Sequence, residues 1–438
     1  MSAESGLARA ETDRATRAHG PCASVQPGVA LLVPSLRVHD PAPIDRGWPA
    51  LYLDHNATTQ PAPAVIEAMT ACLGEGWANP SSTHAPGRAA RERLEVARAR
   101  VAHLVDAADL REVVFTSGGT EAIHAAILGA WRARRELARD TILASSVEHA
   151  ATRSALEAAR REGARIVLAP VDAQARVQRE AVLERIDERT VLVSLIHANN
   201  EVGTLLDLGD LGQRCRAAGV LLHLDAVQAV GRLPFSVRAL QADLVSLSAH
   251  KLHGPKGVGA LWVRRGAQWE PATAGSQESG RRGGTENLPG IVGFGVAAQL
   301  ARAWLQAEGW KDLAAVRDAF EARLLELVPD VVIHARSVPR LPNTSSVRLP
   351  GLDAELLLAY LDSQGVHLSA GSACHATARA PSPVLAAMQL GGVAGMETVR
   401  VSFGRGQDRA DACRAAEALA QASLDLGRPV PGSVIPGR

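Results

Sequence analysis

From Leu51 onward, the chain alternates short apolar runs rich in Val, Leu and Ile with longer stretches of Ala, Arg and Glu. The short runs have the length of buried strands, and the longer stretches place apolar residues on one face of a helix. Their alternation predicts an α/β fold with a largely parallel sheet. The predicted strands are residues 113–116, 141–145, 191–196, 221–224, 244–247, 331–333, 344–349 and 398–403.

The same pattern predicts the division of the chain into domains. Residues 1–48 are rich in Ala, Arg, Pro and Asp without sustained periodicity, and we predict a mostly disordered extension there. Residues 63–299 contain the first five strands and are predicted to form a large domain. A long helical stretch at 292–327 and the last three strands predict a smaller α+β domain, formed by residues 49–62 and 300–430.

The first five predicted strands share a feature that points to function. Each of them runs directly into polar, reactive residues. Because ligands of open α/β sheets bind at the carboxyl ends of the strands, these ends predict one shared site. The polar segments are residues 117–121, 147–149, 197–201, 225–228 and 248–251.

Composition excludes several classes of function. Among 438 residues, 47 Lys and Arg balance 46 Asp and Glu, so the net charge of +1 provides no field for nucleic acid or an anionic membrane. No apolar run approaches the ~18 residues of a membrane span. Five scattered cysteines without a CxxC pair favour neither a disulfide framework nor a zinc site. A small-molecule substrate and a reducing compartment, the cytoplasm, fit best.

Lysine is rare, and its placement suggests chemistry. Only Lys251, Lys256 and Lys311 occur, and the first two lie in one segment, 248–257, with Ser, His and a Gly-Pro turn. A guanidinium does not deprotonate, whereas a desolvated lysine amine can lose its proton and form a Schiff base with a carbonyl. Lys251 is therefore a candidate catalytic residue. The alternative is a surface lysine in a turn.

Two of the strand ends favour a charged ligand. Gly119 and Thr120 lie between a strand and a helix, where free amides and the helix dipole favour a phosphate, although a plain β–α turn has the same composition. Asp225 ends an apolar strand, where a carboxylate needs a cationic or donor partner such as a protonated pyridine nitrogen. The alternative for Asp225 is a cap of a following helix.

Cys374 and Arg400 are candidates in the second half of the chain. Cys374 follows four small residues, which predicts an exposed thiol on a mobile loop, unlike the usual buried cysteine that suits Cys72 and Cys215. Arg400 shares one face of a predicted strand with Ser402 and could grip a carboxylate in bidentate fashion. Its alternative is a solvated strand face.

Taken together, these segments resemble the cysteine desulfurases of the class V aminotransferase group, and within them the long-loop branch of iron-sulfur assembly. Nine motifs occur in the family's order between residues 51 and 403, which makes the resemblance specific. They are residues 52–59, 79–84, 115–121, 147–149, 197–203, 225–228, 248–259, 282–287 and 369–374.

The resemblance implies a fold-type-I, pyridoxal-phosphate-dependent transferase with a mostly parallel, seven-stranded type of sheet. Lys251 would carry pyridoxal 5'-phosphate as a Schiff base, and Asp225 would pair with its pyridine nitrogen. His149 would stack on the ring and move protons. Gln228 and Asn200 would lie near the ring hydroxyl, with Asn200 also close to the substrate.

Further roles follow from the same resemblance. Arg400 and Asn56 would hold the substrate carboxylate, and Cys374 would take the sulfur as a persulfide and swing out to an acceptor protein. One phosphate ligand would come from a second subunit, which implies a homodimer. The implied phosphate ligands are Gly119, Thr120, Ser248 and His250, with Thr285 supplied by the other subunit.

The function implied is that of an L-cysteine desulfurase, which supplies sulfur for iron-sulfur clusters or thiolation and releases alanine. A selenocysteine lyase, or another lyase or aminotransferase of the group, would share every cofactor residue but would not need Cys374. A non-catalytic scaffold of the same fold is a third hypothesis. The intact set of Lys251, Asp225, His149 and Cys374 argues against it.

Overall fold

The computed structural model describes residues 50–134, 139–371 and 382–427. Its strands are β1 Leu51–Tyr52, β2 Val113–Thr116, β3 Thr141–Ser145, β4 Arg165–Ala169, β5 Thr190–Ile196, β6 Leu221–Asp225, β7 Leu244–Ser248, β8 Gly259–Val263, β9 Val332–His334, β10 Thr344–Arg348, β11 Val366–His367, β12 Ser369–Ala370 and β13 Thr398–Ser402. Its α-helices are α1 Pro63–Glu75, α2 Ala85–Leu104, α3 Gly119–Arg134, α4 Ala150–Arg161, α5 Arg179–Leu183, α6 Leu211–Ala217, α7 Leu288–Gln306, α8 Gly309–Leu327, α9 Ala354–Ser363, α10 Pro383–Ala387, α11 Val393–Met396 and α12 Arg409–Asp425.

Seven strands form the central sheet in the order β2-β8-β7-β6-β5-β3-β4. Strands β7, β6, β5, β3 and β4 pair in parallel, and β8 runs antiparallel to both of its neighbours. Strands β2, β3, β5, β6, β7 and β8 are buried along their whole length because helices cover both faces. This largely parallel sheet confirms the predicted fold class.

Two apolar layers enclose the sheet. On one face, Leu94 of α2 and Phe294 of α7 pack with Leu224 and Val245 of the sheet. On the other face, Ile123 and neighbouring residues of α3 and α4 pack against the opposite side chains of the same strands. By length and composition α7 is the one described helix that could cross a membrane, yet half of it is buried, packed between α1 and α2. It serves as a core helix of the fold.

A second sheet of four strands, in the order β12-β13-β10-β9, has its own apolar core. Helices α8, α9 and α12 contribute to that core, and so do Leu51 and Leu53 from the beginning of the described chain. Strand β1 reaches this region by pairing in parallel with β11. The domain boundaries drawn from the sequence stay a prediction, and the extension predicted at residues 1–48 lies outside the described residues.

The predicted strands match the observed ones to within a residue or two, but one helix prediction is wrong. The stretch 292–327 forms two helices, α7 and α8, instead of one. Glu308 has a left-handed backbone (φ 56°), which ends the helical hydrogen bonding of α7. Gly309 follows because the ring of Trp304 occupies the place of a side chain, and a Cβ there would lie 2.1 Å from Trp304 Nε1.

A buried ion pair ties the loop before α7 to the central sheet. Arg98 of α2 donates from Nη1 and Nη2 to Glu278 at 2.7 and 2.8 Å, and Glu278 also accepts from the backbone N of Phe115 at 2.8 Å. Both side chains are buried, and Glu278 holds a left-handed backbone conformation (φ 48°). The bidentate pair therefore stabilises the loop although the backbone conformation of Glu278 is unfavourable.

We expect Glu278→Gln to lower the free energy of unfolding by about 3 kcal/mol, because the buried Arg98 would lose its bidentate partner and keep only the exposed Glu95, at 3.2 Å, as a charged partner. Urea denaturation at a fixed protein concentration measures the change. Glu75→Gln is the matched control, since Glu75 pairs with Arg93 at 2.8 Å but is 68% exposed. That control should change stability by less than about 1 kcal/mol. Equal effects of the two substitutions would contradict the role given to the buried pair.

Candidate active site

The carboxyl ends of five central strands surround one cavity of about 270 Å³. The residues that line it come from directly after β2, β3, β5, β6 and β7, and from β13 and the segment after β1. All the described site candidates except Thr285 line it. They are Asn56, Gly119, Thr120, His149, Asn200, Asp225, Gln228, Ser248, His250, Lys251 and Arg400.

Lys251 ends a single 3-10 turn, Ala249–Lys251, that follows β7 without a break. Its Nζ donates to the backbone oxygens of Asn56 at 2.5 Å and Ala57 at 2.6 Å. Burial lowers the pKa of Lys251 to about 7, and the nearby cations of Arg232 and Arg400 act in the same direction. About half of the amine is therefore neutral at pH 7, and the position of Lys251 in the cavity wall excludes the alternative of a surface lysine.

Asp225 ends β6 and is 3% exposed. Burial raises its pKa to about 6, although the backbone N of Val227, which donates to Oδ1 at 3.1 Å, and the charge of Lys251 favour the ionised form. No α-helix follows Asp225 before β7, so the alternative role as a helix cap is wrong. A buried carboxylate with this little compensation is suited to a cationic ligand.

His149 is the N-cap of α4, and its Nδ1 accepts a hydrogen bond from the backbone N of Ala151 at 3.1 Å. This contact leaves the proton of the neutral ring on Nε2. Burial lowers the pKa of His149 to about 4, and the charges of Lys251, Arg153 and Arg400 add to the shift. At neutral pH the ring is therefore uncharged, a state in which it can stack on a flat ligand and exchange a proton.

The start of α3 forms one end of the cavity. Gly119 is the first residue of the helix and packs against β7, since a Cβ there would lie 3.0 Å from Val227 and 3.3 Å from Ser248. Thr120 is exposed beside it, and Ser248 is buried opposite. His250 completes this end, with Nδ1 3.1 Å from the hydroxyl of Thr58. Free amides, hydroxyls and a helix N-terminus together suit a phosphate.

Arg400 lies in β13 and is 2% exposed, so the alternative of a solvated strand face is wrong. Its Nη2 donates to Asp54 and Ser369, both at 2.7 Å, and its Nη1 donates to the backbone oxygen of Asn200 at 2.9 Å. Its Nε is buried and has no partner among the described residues. The guanidinium is therefore held rigidly at the cavity wall with one donor unused.

Three amide side chains line the same wall. Asn56 donates to Asn200 O and Thr344 Oγ1 at 3.1 and 2.9 Å and accepts from Asn343 at 3.0 Å, so its own amide is fully engaged. The predicted contact of Asn56 with a carboxylate stays a prediction. Asn200 Oδ1, by contrast, is buried and lacks a described partner. Gln228 donates to the backbone oxygen of Asn56 at 2.9 Å.

Of the two remaining predicted site residues, one lies outside this cavity and the other is not among the described residues. Thr285 is exposed in the loop before α7 and does not line the cavity of its own chain. Its predicted role requires a second subunit. Cys374 lies outside the described residues.

Glu148 and Arg232 are among the residues at or behind the cavity that were not predicted. Glu148 is buried beside His149, and its Oε1 accepts from Ser145 Oγ at 2.5 Å and from the backbone N of Ile196 at 3.0 Å, which joins the ends of β3 and β5. Burial raises the pKa of Glu148 to about 8. Arg232 is buried behind Gln228. A carboxylate directly before His149 could have been noticed, whereas nothing local distinguishes Arg232 from the other arginines.

Comparisons with known proteins agree with this geometry. The model of the aminotransferase class-V family matches residues 51–414. A cysteine desulfurase of Cereibacter sphaeroides is 42% identical over 371 residues, which cover 84% of this chain and 94% of that protein. A solved structure of a NifS-like protein superposes with a TM-score of 0.79 at 32% identity, covering 86% of this chain and 100% of the other. The structure of SspA in complex with cysteine gives a TM-score of 0.71 at 29% identity, covering 81% and 98%.

Proposed function

We propose, since the chain belongs to the class V aminotransferase family and within it to the cysteine desulfurases, that this cavity holds pyridoxal 5'-phosphate and removes the sulfur of L-cysteine. The products are L-alanine and sulfur carried by Cys374. One observation carries the proposal. A neutralised lysine amine, a buried carboxylate and an uncharged imidazole, from Lys251, Asp225 and His149, line one cavity beside a helix start suited to phosphate.

The described residues fit the proposed cofactor. Asn200 Oδ1, Arg400 Nε and Glu148 Oε2 are buried without described partners, and all three residues line the cavity. Such atoms are costly unless a ligand or water satisfies them. The poorly compensated carboxylate of Asp225 is suited to a protonated pyridine nitrogen, and the start of α3 is suited to a phosphate group. The chemistry of each wall thus matches one part of the molecule.

When bound, pyridoxal 5'-phosphate supplies an electron sink for the pair released at the substrate α-carbon. The side chains hold and tune it. Lys251 Nζ would hold the cofactor covalently and then be available to take a proton from the substrate. Asp225 would keep the ring nitrogen protonated, and Nε2 of His149 would exchange a proton close to the ring. Arg400 would bind the substrate carboxylate and fix the orientation of the reacting bond.

Sulfur transfer is proposed to occur on Cys374. Its thiolate would attack the sulfur of the substrate and form an S–S bond while the Cβ–S bond breaks. The electron pair of the broken bond stays with the three-carbon unit, which takes up a proton and leaves as alanine. The sulfur on Cys374 would then pass to an acceptor protein for iron-sulfur clusters or thiolation.

The test is to incubate the purified protein with L-cysteine and a reductant and to measure sulfide and alanine together. Equal amounts of the two are expected, and their absence in a protein that binds the cofactor would contradict the proposal. L-Selenocysteine is compared in parallel because a selenocysteine lyase would share all the cofactor residues. A strong preference for the selenium substrate would favour that alternative.

Arg400→Ala is expected to raise the KM for L-cysteine by roughly 10- to 100-fold while the cofactor stays bound, since a hydrogen bond to a charged group contributes about 1.5–3 kcal/mol. Steady-state kinetics and the visible spectrum measure the two properties. Arg348→Ala is the control, because Arg348 lies on the neighbouring strand and pairs with Glu397 outside the cavity. Loss of the cofactor from the Arg400 variant would assign that residue to the fold or to the phosphate end.

A homodimer and a reducing compartment complete the proposal. Thr285 would reach the phosphate of the partner's cofactor. Two ion pairs hold the part of the loop that precedes Thr285: Glu278 pairs with Arg98, and Arg282 pairs with Glu121 at 3.0 Å. Among the described cysteines, Cys72, Cys215 and Cys413 are free thiols, which suits the cytoplasm. Light scattering of the purified protein tests the dimer.

A further inference from the structure

Arg232 is a buried cation without a carboxylate partner. It is 5% exposed and forms no ion pair with any acidic residue of the described chain. Its Nη2 donates to the backbone oxygen of His55 at 2.9 Å, and its Nη1 donates to the backbone oxygen of Gln228 at 3.1 Å and to the side-chain oxygen of Gln228. Burying an unpaired charge is costly, so its retention calls for a reason beyond packing.

The contacts of Arg232 place it directly behind the reactive lysine. Three consecutive backbone oxygens accept hydrogen bonds from these side chains. The oxygen of His55 accepts from Arg232, that of Asn56 accepts from both Gln228 and Lys251, and that of Ala57 accepts from Lys251. Arg232 and Lys251 also line one small cavity on the side away from the candidate active site. The guanidinium and the amine are thus fixed on one short segment of backbone.

We propose that Arg232 is a positioning residue whose unpaired charge keeps the amine of Lys251 neutral and nucleophilic. A cation next to a desolvated lysine favours the uncharged amine, because protonation would place two positive charges close together. Only the later use of that amine, its reaction with the cofactor, rests on the proposed function.

Among the charged groups around Lys251, Arg232 has the largest effect on the protonation of the amine. Arg400 is the second cation, but its Nη2 pairs with Asp54 at 2.7 Å, and that carboxylate offsets part of the effect of Arg400 on Lys251. Asp225 opposes the effect, because a carboxyl with a pKa of about 6 is mostly ionised at pH 7, but its influence on Lys251 is smaller than that of Arg232. The neighbouring imidazoles add no charge at pH 7, because burial lowers the pKa of His55 to about 3 and the pKa of the other three to about 4. These three are His149, His250 and His253.

Competitive labelling of the full-length, cofactor-free protein tests this proposal. A trace of acetic anhydride acetylates only neutral amines, so the pH dependence of labelling at Lys251, read by peptide mass spectrometry, reports the protonation of that amine. Lys256 is an exposed reference in the same loop. In the wild type, Lys251 is expected to become reactive at a lower pH than Lys256.

Arg232→Gln retains hydrogen-bond donors but removes the charge, and it should move the labelling midpoint of Lys251 upward by about one pH unit or more. Arg232→Lys, which restores a cation, should return the midpoint toward the wild-type value. Should Arg232→Gln fail to fold, Arg232→Met provides the same comparison. After loading with pyridoxal 5'-phosphate, the pH midpoint of the visible absorbance should shift in the same direction.

Arg405→Gln is the matched control. Arg405 is half-buried, forms no ion pair within the described chain and lines the same small cavity as Lys251, but it stacks on Trp304 and donates to the backbone oxygen of Gly231 at 2.6 Å, and not to the three backbone oxygens shared by Arg232 and Lys251. An unchanged midpoint in Arg232→Gln, or an equal shift in Arg405→Gln, would overturn the proposal and leave Arg232 a packing residue. Because the labelling needs neither cofactor nor turnover, its failure is distinct from failure of the proposed function.

Discussion

Lys251→Ala is expected to abolish covalent attachment of pyridoxal 5'-phosphate and all sulfide release. The reason is that neither of the other two lysines lines the cavity. Lys256 is exposed to solvent in the same loop, and Lys311 lies in α8, where it pairs with Glu308 at 2.5 Å. Loss of the residue that forms a covalent intermediate commonly costs several orders of magnitude in rate.

Borohydride reduction followed by peptide mass spectrometry identifies the attached residue. The wild type should carry the cofactor on the peptide that contains Lys251, and Lys251→Ala should carry it nowhere. Lys256→Ala is the control, because it removes a lysine from the same segment and should leave attachment and activity unchanged. Attachment retained in Lys251→Ala would exclude the assignment of this lysine.

Cys374→Ser is expected to abolish sulfide release while the cofactor-bound enzyme still changes its visible spectrum on addition of L-cysteine. Binding of the substrate to the cofactor precedes the need for a thiol, so the early step should survive. Serine keeps the size and polarity of the side chain but is a far weaker nucleophile than a partly ionised thiol at neutral pH. The two readouts therefore separate substrate binding from sulfur transfer.

Mass spectrometry of the wild type after treatment with L-cysteine should show one added sulfur on the peptide that contains Cys374. Cys413→Ser is the control, since Cys413 is a partly exposed thiol on α12 and should not affect turnover. A Cys374→Ser enzyme that released sulfide and alanine at the wild-type rate would identify the protein as a different lyase of the family.

The sequence predicts most of the fold and most of the cavity because local rules determine both. Buried strands of a parallel sheet are short apolar runs, and their carboxyl ends meet, so the polar residues at 117–121 and 248–251 could be assigned to one place. Strands β4 and β8 were not predicted. The sequence of β4 begins with Arg165, and only one of its five residues is buried at the sheet edge. The sequence of β8 begins with Gly259, directly after the lysine loop.

What could not be predicted depends on contacts between distant parts of the chain. The break between α7 and α8 follows from the ring of Trp304 lying against Gly309, and the pattern of apolar residues does not record such a contact. Arg232 is one arginine among 44, and its role follows from a backbone oxygen 177 residues away in the sequence. Side-chain alternation correctly placed Arg400 and Ser402 on one face, but only the structure shows that this face is buried.

The pairing of β1 with β11 has a consequence for how the protein is made. Asp54, next to β1, bonds to Arg400, which lies 346 residues later in the chain. At a translation rate of roughly 5–20 residues per second, the early segment leaves the ribosome some 20 to 70 seconds before its partner exists. For most of that interval Leu51 and Leu53 lack the rest of their core, whose other members lie between residues 313 and 422. The wall of the cavity that contains Arg400 is therefore completed only near the end of synthesis, after all the residues proposed to hold the cofactor.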